Sequence, residues 1–284
     1  MKPKDIGMLL TLAALWGSSF LFMRVGAPVL GPVMLIEVRV LLAGISLLVF
    51  AAVLKHKVRI LHKWKHYLVL GAFNAALPFT FIATAELHLS ASLAAILNAT
   101  TPLFTAVVAW LWMKEPFTWK KALGIFVGIF GVAILVGWDP ENSGGSIFWS
   151  VVCSLLAALL YAVAGVFSSR SFKGETSMDM AIGQQLAAAL VLLPVSLFVI
   201  PDEVPSWDVV WSVLVLAVFC TAVGYLLYFA LMKSVGPVKT LTVTFIVPVF
   251  GTIWGALFLQ EVITGQVFAG MLLILLSVFL VSRK

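Results

Sequence analysis

Apolar residues in this chain neither alternate with polar ones nor form the one-sided stripe of a soluble helix; they run almost unbroken for some twenty residues at a time. Ten such runs cover residues 6–26, 33–54, 67–86, 91–113, 119–137, 146–168, 179–200, 207–232, 238–259 and 263–281. A helix needs about 20 apolar residues to cross a bilayer, and continuous runs lack the ten-residue dyad pattern of a membrane barrel. The pattern predicts an all-α integral membrane protein with ten transmembrane helices. Turn-forming residues separate the runs: Gly31-Pro32, Lys114-Glu115-Pro116, Asp139-Pro140, Ser143-Gly144-Gly145, Pro201 to Pro205 and Gly236-Pro237. The longest polar stretch, Lys55 to His66, suffices only for a loop or an interfacial turn. The first run follows Lys2 and Lys4 but has no small-residue cleavage pattern, so it is expected to remain as the first helix.

Composition agrees. The chain is 62% hydrophobic and 11% charged, against about 45–50% and about 25% in soluble domains. Its net charge of +6 would suggest nucleic acid in a soluble protein, but the positions of the charges give another reading. Alternating ten spans puts Lys2, Lys4, the five cations between Lys55 and Lys65, Lys114, Lys120, Lys121, Arg170, Lys173, Lys233, Lys239, Arg283 and Lys284 on one side. That is 16 of the 18 basic residues. Asp139, Glu141, Asp202, Glu203 and Asp208 fall on the other. By the positive-inside rule both termini are expected in the cytoplasm and the chain in the cell (plasma or inner) membrane, with the lipid bilayer and no nucleic acid as its surroundings. Cys153 and Cys220 lie in apolar runs and give no disulfide framework or metal-ligand spacing; they read as packing residues, and neither metal nor cofactor is expected.

A shift of 146 residues superposes Arg24 on Arg170, Pro102 on Pro248, Phe104 on Phe250, Glu115 on Glu261, Thr118 on Thr264 and Gly124 on Gly270 without a gap. Two units follow, 1–141 and 146–284, within one membrane domain. Each holds five helices, so the second enters the membrane from the opposite face; such inverted repeats underlie alternating access in many carriers. The residues Leu15-Trp16-Gly17-Ser18-Ser19-Phe20, Arg39, and Ser90 to Ala95 through Pro102 to Glu115 resemble the EamA family of the drug/metabolite transporter superfamily. Tyr225 to Lys233, Pro248 and Gln260-Glu261 repeat the pattern. The resemblance implies ten helices in two repeats and carriage of small organic solutes, often amino acids or related metabolites and commonly outward. Arg39 aligns with Gln185, so that charge is unmatched between the halves.

Candidate cavity residues are the polar and aromatic groups deep in the spans. In the fourth, Asn98, Thr101, Pro102 and Thr105 share a face; their mates in the ninth are Thr244, Val247, Pro248 and Gly251. Each proline frees a carbonyl one turn earlier, at Asn98 and Thr244. The result is either a kink repaired by neighbouring side chains or two broken helices facing a shared cavity. Trp16 and Ser19, Asn74, Tyr161, Gln184 and Gln185, Tyr225 and Tyr228 complete the inventory. Trp64, Trp112, Trp119, Trp138, Trp149 and Trp207 lie near helix ends and read as interface anchors. An aromatic wall with hydroxyl and amide groups suits a small, uncharged to zwitterionic organic substrate better than an ion, and tryptophan stacking would fit a cationic or aromatic solute equally. Arg39 needs a partner inside the bilayer, and Glu86 is the better placed acid than Glu37. The pair reads either as a fixed salt bridge or as an outer gate or substrate-carboxylate site. Glu115 and Glu261 are expected to cap or tether the helix that follows each. Gly124/Gly128 and Gly251/Gly255 are expected to pack helices within a monomer, leaving at most a weak homodimer.

The leading function is a secondary carrier working by alternating access; with no P-loop, no direct ATP drive is expected from this chain, and the preferred mode is uniport. A membrane scaffold or receptor-like module is the alternative. A membrane enzyme lacks its constellation: there is no HExxH or GxSxG. His56, His62 and His66 read as a solvated or headgroup face and His88 as a surface residue.

Overall fold

The computed structural model describes residues 1–137, 145–201, 204–240 and 242–282. Among them, nine helices are long and apolar enough to cross a membrane: α1 (Pro3–Leu30), α2 (Pro32–Val53), α3 (Leu61–Ala85), α4 (Ala91–Met113), α5 (Trp119–Val136), α6 (Gly145–Ser171), α7 (Ser177–Ser196), α8 (Trp207–Val235) and α10 (Gly265–Ser282). The ninth segment, α9 (Val243–Phe258), has only 16 residues and follows a single helical turn at Pro237–Thr240. The expected turns at Asp139-Pro140 and Ser143-Gly144, together with Trp138, Glu141, Asp202, Glu203, Arg283 and Lys284, lie outside the described residues.

Thr118 and Thr264, superposed by the 146-residue shift, play one part: their hydroxyls accept from the backbone N–H of Lys121 at 3.4 Å and of Val267 at 3.3 Å. Each caps the start of the last helix of its half. Arg24 and Arg170 likewise share a part, donating to backbone carbonyls at a helix end, Glu86 after α3 and Trp112 near the end of α4.

Packing between the halves is reciprocal. Helices α2 and α7 pack together, as do α5 and α10; α1 lies on α8 and α9, as α6 lies on α3 and α4; and α3 packs on α7, as α2 does on α8. Small residues permit the closest approaches. A Cβ at Gly17 would stand 2.8 Å from the Gly251 amide nitrogen, joining α1 to α9, and one at Gly131 would stand 3.0 Å from Leu273 Cβ, joining α5 to α10. The Gly124/Gly128 and Gly251/Gly255 pairs thus serve contacts within one molecule. Large apolar side chains cover the outside, among them Phe126, Phe130, Phe198 and Leu257. Trp64, Trp119, Trp149 and Trp207 are exposed near helix ends, where indole rings favour the bilayer interface.

Two helices carry π-helical turns, Ala72–Ala76 in α3 and Leu216–Val223 in α8. Shifted by 146, the first falls inside the second. Such turns recur at functional sites because they displace one residue from the regular ladder.

Candidate functional site: a central polar cavity

Six of the helices, α1, α3, α4, α6, α8 and α9, with Arg39 from α2, surround a cavity of about 290 Å³. Of the residues expected there, α1 contributes Trp16 and Ser19, α3 Asn74, α4 Asn98, Thr101 and Pro102, α6 Tyr161, α8 Tyr225 and Tyr228, and α9 Thr244 and Pro248. Gln185 and Glu86 are fully buried and lie outside the lining. The neighbour Gln184 instead reaches the site indirectly, accepting from Asn74 Nδ2 at 2.8 Å.

The π turns aim side chains inward. Asn74 sits on the first and its repeat mate Cys220 on the second, and both line the cavity. Cys220, read from sequence as packing, lies with its Sγ 3.4 Å from Ser18 Oγ. Phe79 and Tyr225 are also mates and both line the cavity, as do Ile82 and Tyr228. This register is the signal that could have located Phe79 and Cys220. Trp16 packs on Tyr228 with ring centroids 5.6 Å apart and on Tyr225 edge-on at 6.3 Å; Phe79 meets Tyr161 at 6.2 Å.

The two proline segments differ. Helix α4 is interrupted at Ala99-Thr100, and Pro102 sits in the first turn after the break. Thr100 Oγ1 donates to the Leu97 carbonyl at 2.6 Å, and Thr101 Oγ1 donates to the Asn98 carbonyl at 2.7 Å. The carbonyl freed by Pro102 is therefore occupied by a side chain. In α9 the helix runs through Pro248, and the positions matching Thr100 and Thr101 are Ile246 and Val247. They offer no hydroxyl to stabilise a break there, and α9 is continuous from its first residue, Val243.

The expected Arg39–Glu86 pair is not formed. Arg39 is 3% exposed; its Nε donates to Thr221 Oγ1 at 3.0 Å, its Nη1 to Met23 Sδ at 3.3 Å, and its guanidinium carbon lies 3.7 Å from the centroid of the Phe79 ring. Glu86 follows Phe79 by seven residues, about 10 Å along a helix, so a guanidinium seated on that ring cannot reach it. Thr221 completes its own bonding by donating to the Leu216 carbonyl at 2.8 Å inside the π turn. Both Glu86 carboxylate oxygens and Glu37 Oε2 are buried and have no hydrogen-bond partner among the described residues.

Glu261 does not cap its following helix, a task Thr264 performs. It crosses to the other half, where its carboxylate accepts from the N–H groups of Ala91 at 2.7 Å and Ser92 at 3.0 Å, and from the Ser92 hydroxyl. Gly255 makes room: a Cβ there would overlap both the carboxylate and the hydroxyl. Its mate Glu115 holds only Lys121 of the following helix, at 3.5 Å. His62, His66 and His88 are exposed, as expected, and only His56 of the four is half-buried. His56 pairs with Asp179 and His62 with Glu175, each at 3.0 Å, and His66 stacks on Phe167; the loop is tied to the α6–α7 turn. Among the described residues no group of His, Cys, Asp and Glu could hold a metal ion.

The EamA-like transporter family model matches residues 4–137 and again 148–283, which together span nearly the whole chain. The chain belongs to the EamA-like transporter family. It is thus a multi-pass membrane transporter with the family's two-repeat fold. Relatives of this EamA protein include the uncharacterized transporter YvbV of Bacillus subtilis, 28% identical over 100% of this chain and 93% of that protein. The uncharacterized inner membrane transporter YedA of Escherichia coli is 29% identical over 88% and 81%. A probable amino-acid metabolite efflux pump of Escherichia coli is 25% identical over 99% and 95%. A crystal structure of a protein 16% identical in sequence superposes with a TM-score of 0.69 over 99% of this chain and 96% of that one, which bears on the fold alone.

Proposed function

We propose that this transporter moves small organic metabolites, amino acids or related solutes, outward across the cytoplasmic membrane by alternating access. The units 1–141 and 146–284 act as the inverted repeats, and both termini face the cytoplasm. The observation that carries this reading is the cavity itself: a polar and aromatic chamber where the broken α4, the first turns of α9 and two π turns in repeat register meet. Irregular backbone inside a bilayer is tolerated where it lines a cavity. The relative named a probable amino-acid metabolite efflux pump supports the direction and solute class. The cavity residues named above are the substrate contacts in this reading, with Pro102 and Pro248 at the moving segments. Reciprocal packing of the halves supplies the means, since exchanging their conformations exchanges the open end.

Counterflow in proteoliposomes with labelled amino acids, amines and organic acids is the test. Exchange of at least one labelled solute against its unlabelled form is expected. Binding without flux across the whole panel would instead indicate a membrane scaffold or receptor.

A further inference from the structure

We infer that the cavity selects organic acids: a carboxylate seated on Arg39, an aromatic or bulky apolar body between Trp16 and Phe79, and a neutral hydrogen-bond donor facing Asn98. Among the described residues the lining holds one formal charge, Arg39, and no carboxylate. A guanidinium carries five N–H donors. Two are engaged, one by the Thr221 hydroxyl and one by a thioether sulfur, a weak acceptor. The other three have no acceptor among the described residues, and no carboxylate is within ion-pair reach of the group. Phe79 covers one face, which leaves the edge of the fork for a ligand. That edge matches a carboxylate in two parallel bonds.

Arg39 also lacks a counterpart in the other half, since Gln185 occupies its repeat position. A charge that served packing alone would have no reason to border a polar chamber lined by both halves. Asn98 supplies the second requirement. Its Oδ1 is buried and without a partner while the residue lines the cavity, so an O–H or N–H of the solute fits there. An ammonium group would find no acid to neutralise it. The favoured solute is therefore a monoanion such as an aromatic hydroxy acid, ahead of the zwitterionic amino acid of the same skeleton and far ahead of the amine. This refines the solute class of the carrier reading and rests on it for passage, although binding can be measured separately.

The test is equilibrium binding to the full chain in nanodiscs at pH 7 with four probes: 2-hydroxy-3-phenylpropanoate, its uncharged amide, phenylalanine and phenethylamine. The hydroxy acid is expected to bind at least tenfold more tightly than the amide and the amine, and more tightly than phenylalanine. Arg39→Gln should erase the gap between acid and amide; Arg39→Lys, which keeps the charge without the planar fork, should retain part of it. Asn98→Ala should weaken the hydroxy acid toward the level of plain 3-phenylpropanoate. Unchanged thermal unfolding of the variants guards against misfolding. Equal binding of acid and amide, an acid preference that survives Arg39→Gln, tighter binding of phenylalanine or phenethylamine, or no acid bound at millimolar concentration would each overturn the inference. Arg39-dependent binding of the acid without counterflow would leave it standing and overturn the carrier reading instead.

Discussion

Glu261→Gln should bias the transporter away from the conformation described here. Ala91 and Ser92 open α4, so their N–H groups have no acceptor within the helix. The Glu261 carboxylate satisfies both, takes the Ser92 hydroxyl as well, and places an anion at the positive end of the helix. Glutamine keeps one acceptor and turns the other into a donor that faces donors. Hydrogen bonds to a charged group contribute about 1.5–3 kcal/mol and neutral ones about 0.5–1.5. With about 0.3–1 kcal/mol from the lost charge at the helix end, the loss comes to about 2.5 kcal/mol in the latched state alone. At 1.4 kcal/mol per tenfold, that is roughly a 50-fold shift; an unlatched population of about 1% would become about a third. The assay is a distance distribution between spin labels at His88 and Val262, both exposed at this end, in a Cys153→Ser, Cys220→Ala background. A longer component should grow from trace to a sizeable fraction. An unchanged distribution in folded Glu261→Gln protein would refute the latch, because the bonds would then contribute equally to every state.

Gly17→Val should lower the melting temperature, since its Cβ would stand 2.8 Å from backbone of α9 and overpacking costs about 1–3 kcal/mol; Gly7→Ala, where nothing lies within 4 Å, serves as the neutral comparison in thermal unfolding. Thr101→Val removes the donor to the Asn98 carbonyl and should destabilise by about 1–3 kcal/mol, measured by chemical unfolding; a neutral effect would mean the break in α4 does not depend on that hydroxyl. Glu175 accepts from Lys63 at 2.9 Å and from His62 at 3.0 Å, and chiefly the Lys63 bond, then His62, holds its carboxyl below its ordinary value. Because the folded value is the lower one, this tether is complete above the ordinary carboxylate range and is lost only as pH falls through the depressed value. Hydrogen exchange in residues 55–63, corrected for intrinsic rates, should stay flat from neutral pH down and rise only below about pH 4. For uniport, an imposed pH gradient should leave the final distribution of a zwitterionic solute in proteoliposomes unchanged; gradient-driven accumulation of it would establish proton coupling.

The helices were legible because bilayer spans announce themselves by unbroken hydrophobicity, and the two-repeat fold because Pro102, Glu115 and Thr118 are uncommon enough in such sequence to reveal the register. That register says which residues correspond, not what they touch. Arg39 and Glu86 look like partners in sequence, being opposite charges in neighbouring spans; the Phe79 ring and the π turn that presents Thr221 decide otherwise. Neither feature has a strong local signal, since a π turn arises from packing between helices. Cys220 was hidden for the same reason: an apolar run around a cysteine reads as core unless its alignment with Asn74 is followed. Glu261 showed its importance by repetition, but only the three-dimensional crossing of α4 and α9 gives it a partner 170 residues away.

The break in α4, which α9 lacks, bears on kinetics. A carrier whose halves were chemically identical would present the same half-saturation to solute on either face of the membrane. Here one half carries a threonine-stabilised break beyond Asn98, and the other runs through its matching proline in a continuous helix. If the carrier works by the proposed alternating access, its two access states are thus related by fold and not by energy. For solute moving alone, detailed balance still requires equal ratios of maximal rate to half-saturation in the two directions. In that reading the hinge chemistry sets which face saturates first, while the direction of net movement is left to the concentrations and, for an anion, to the membrane potential.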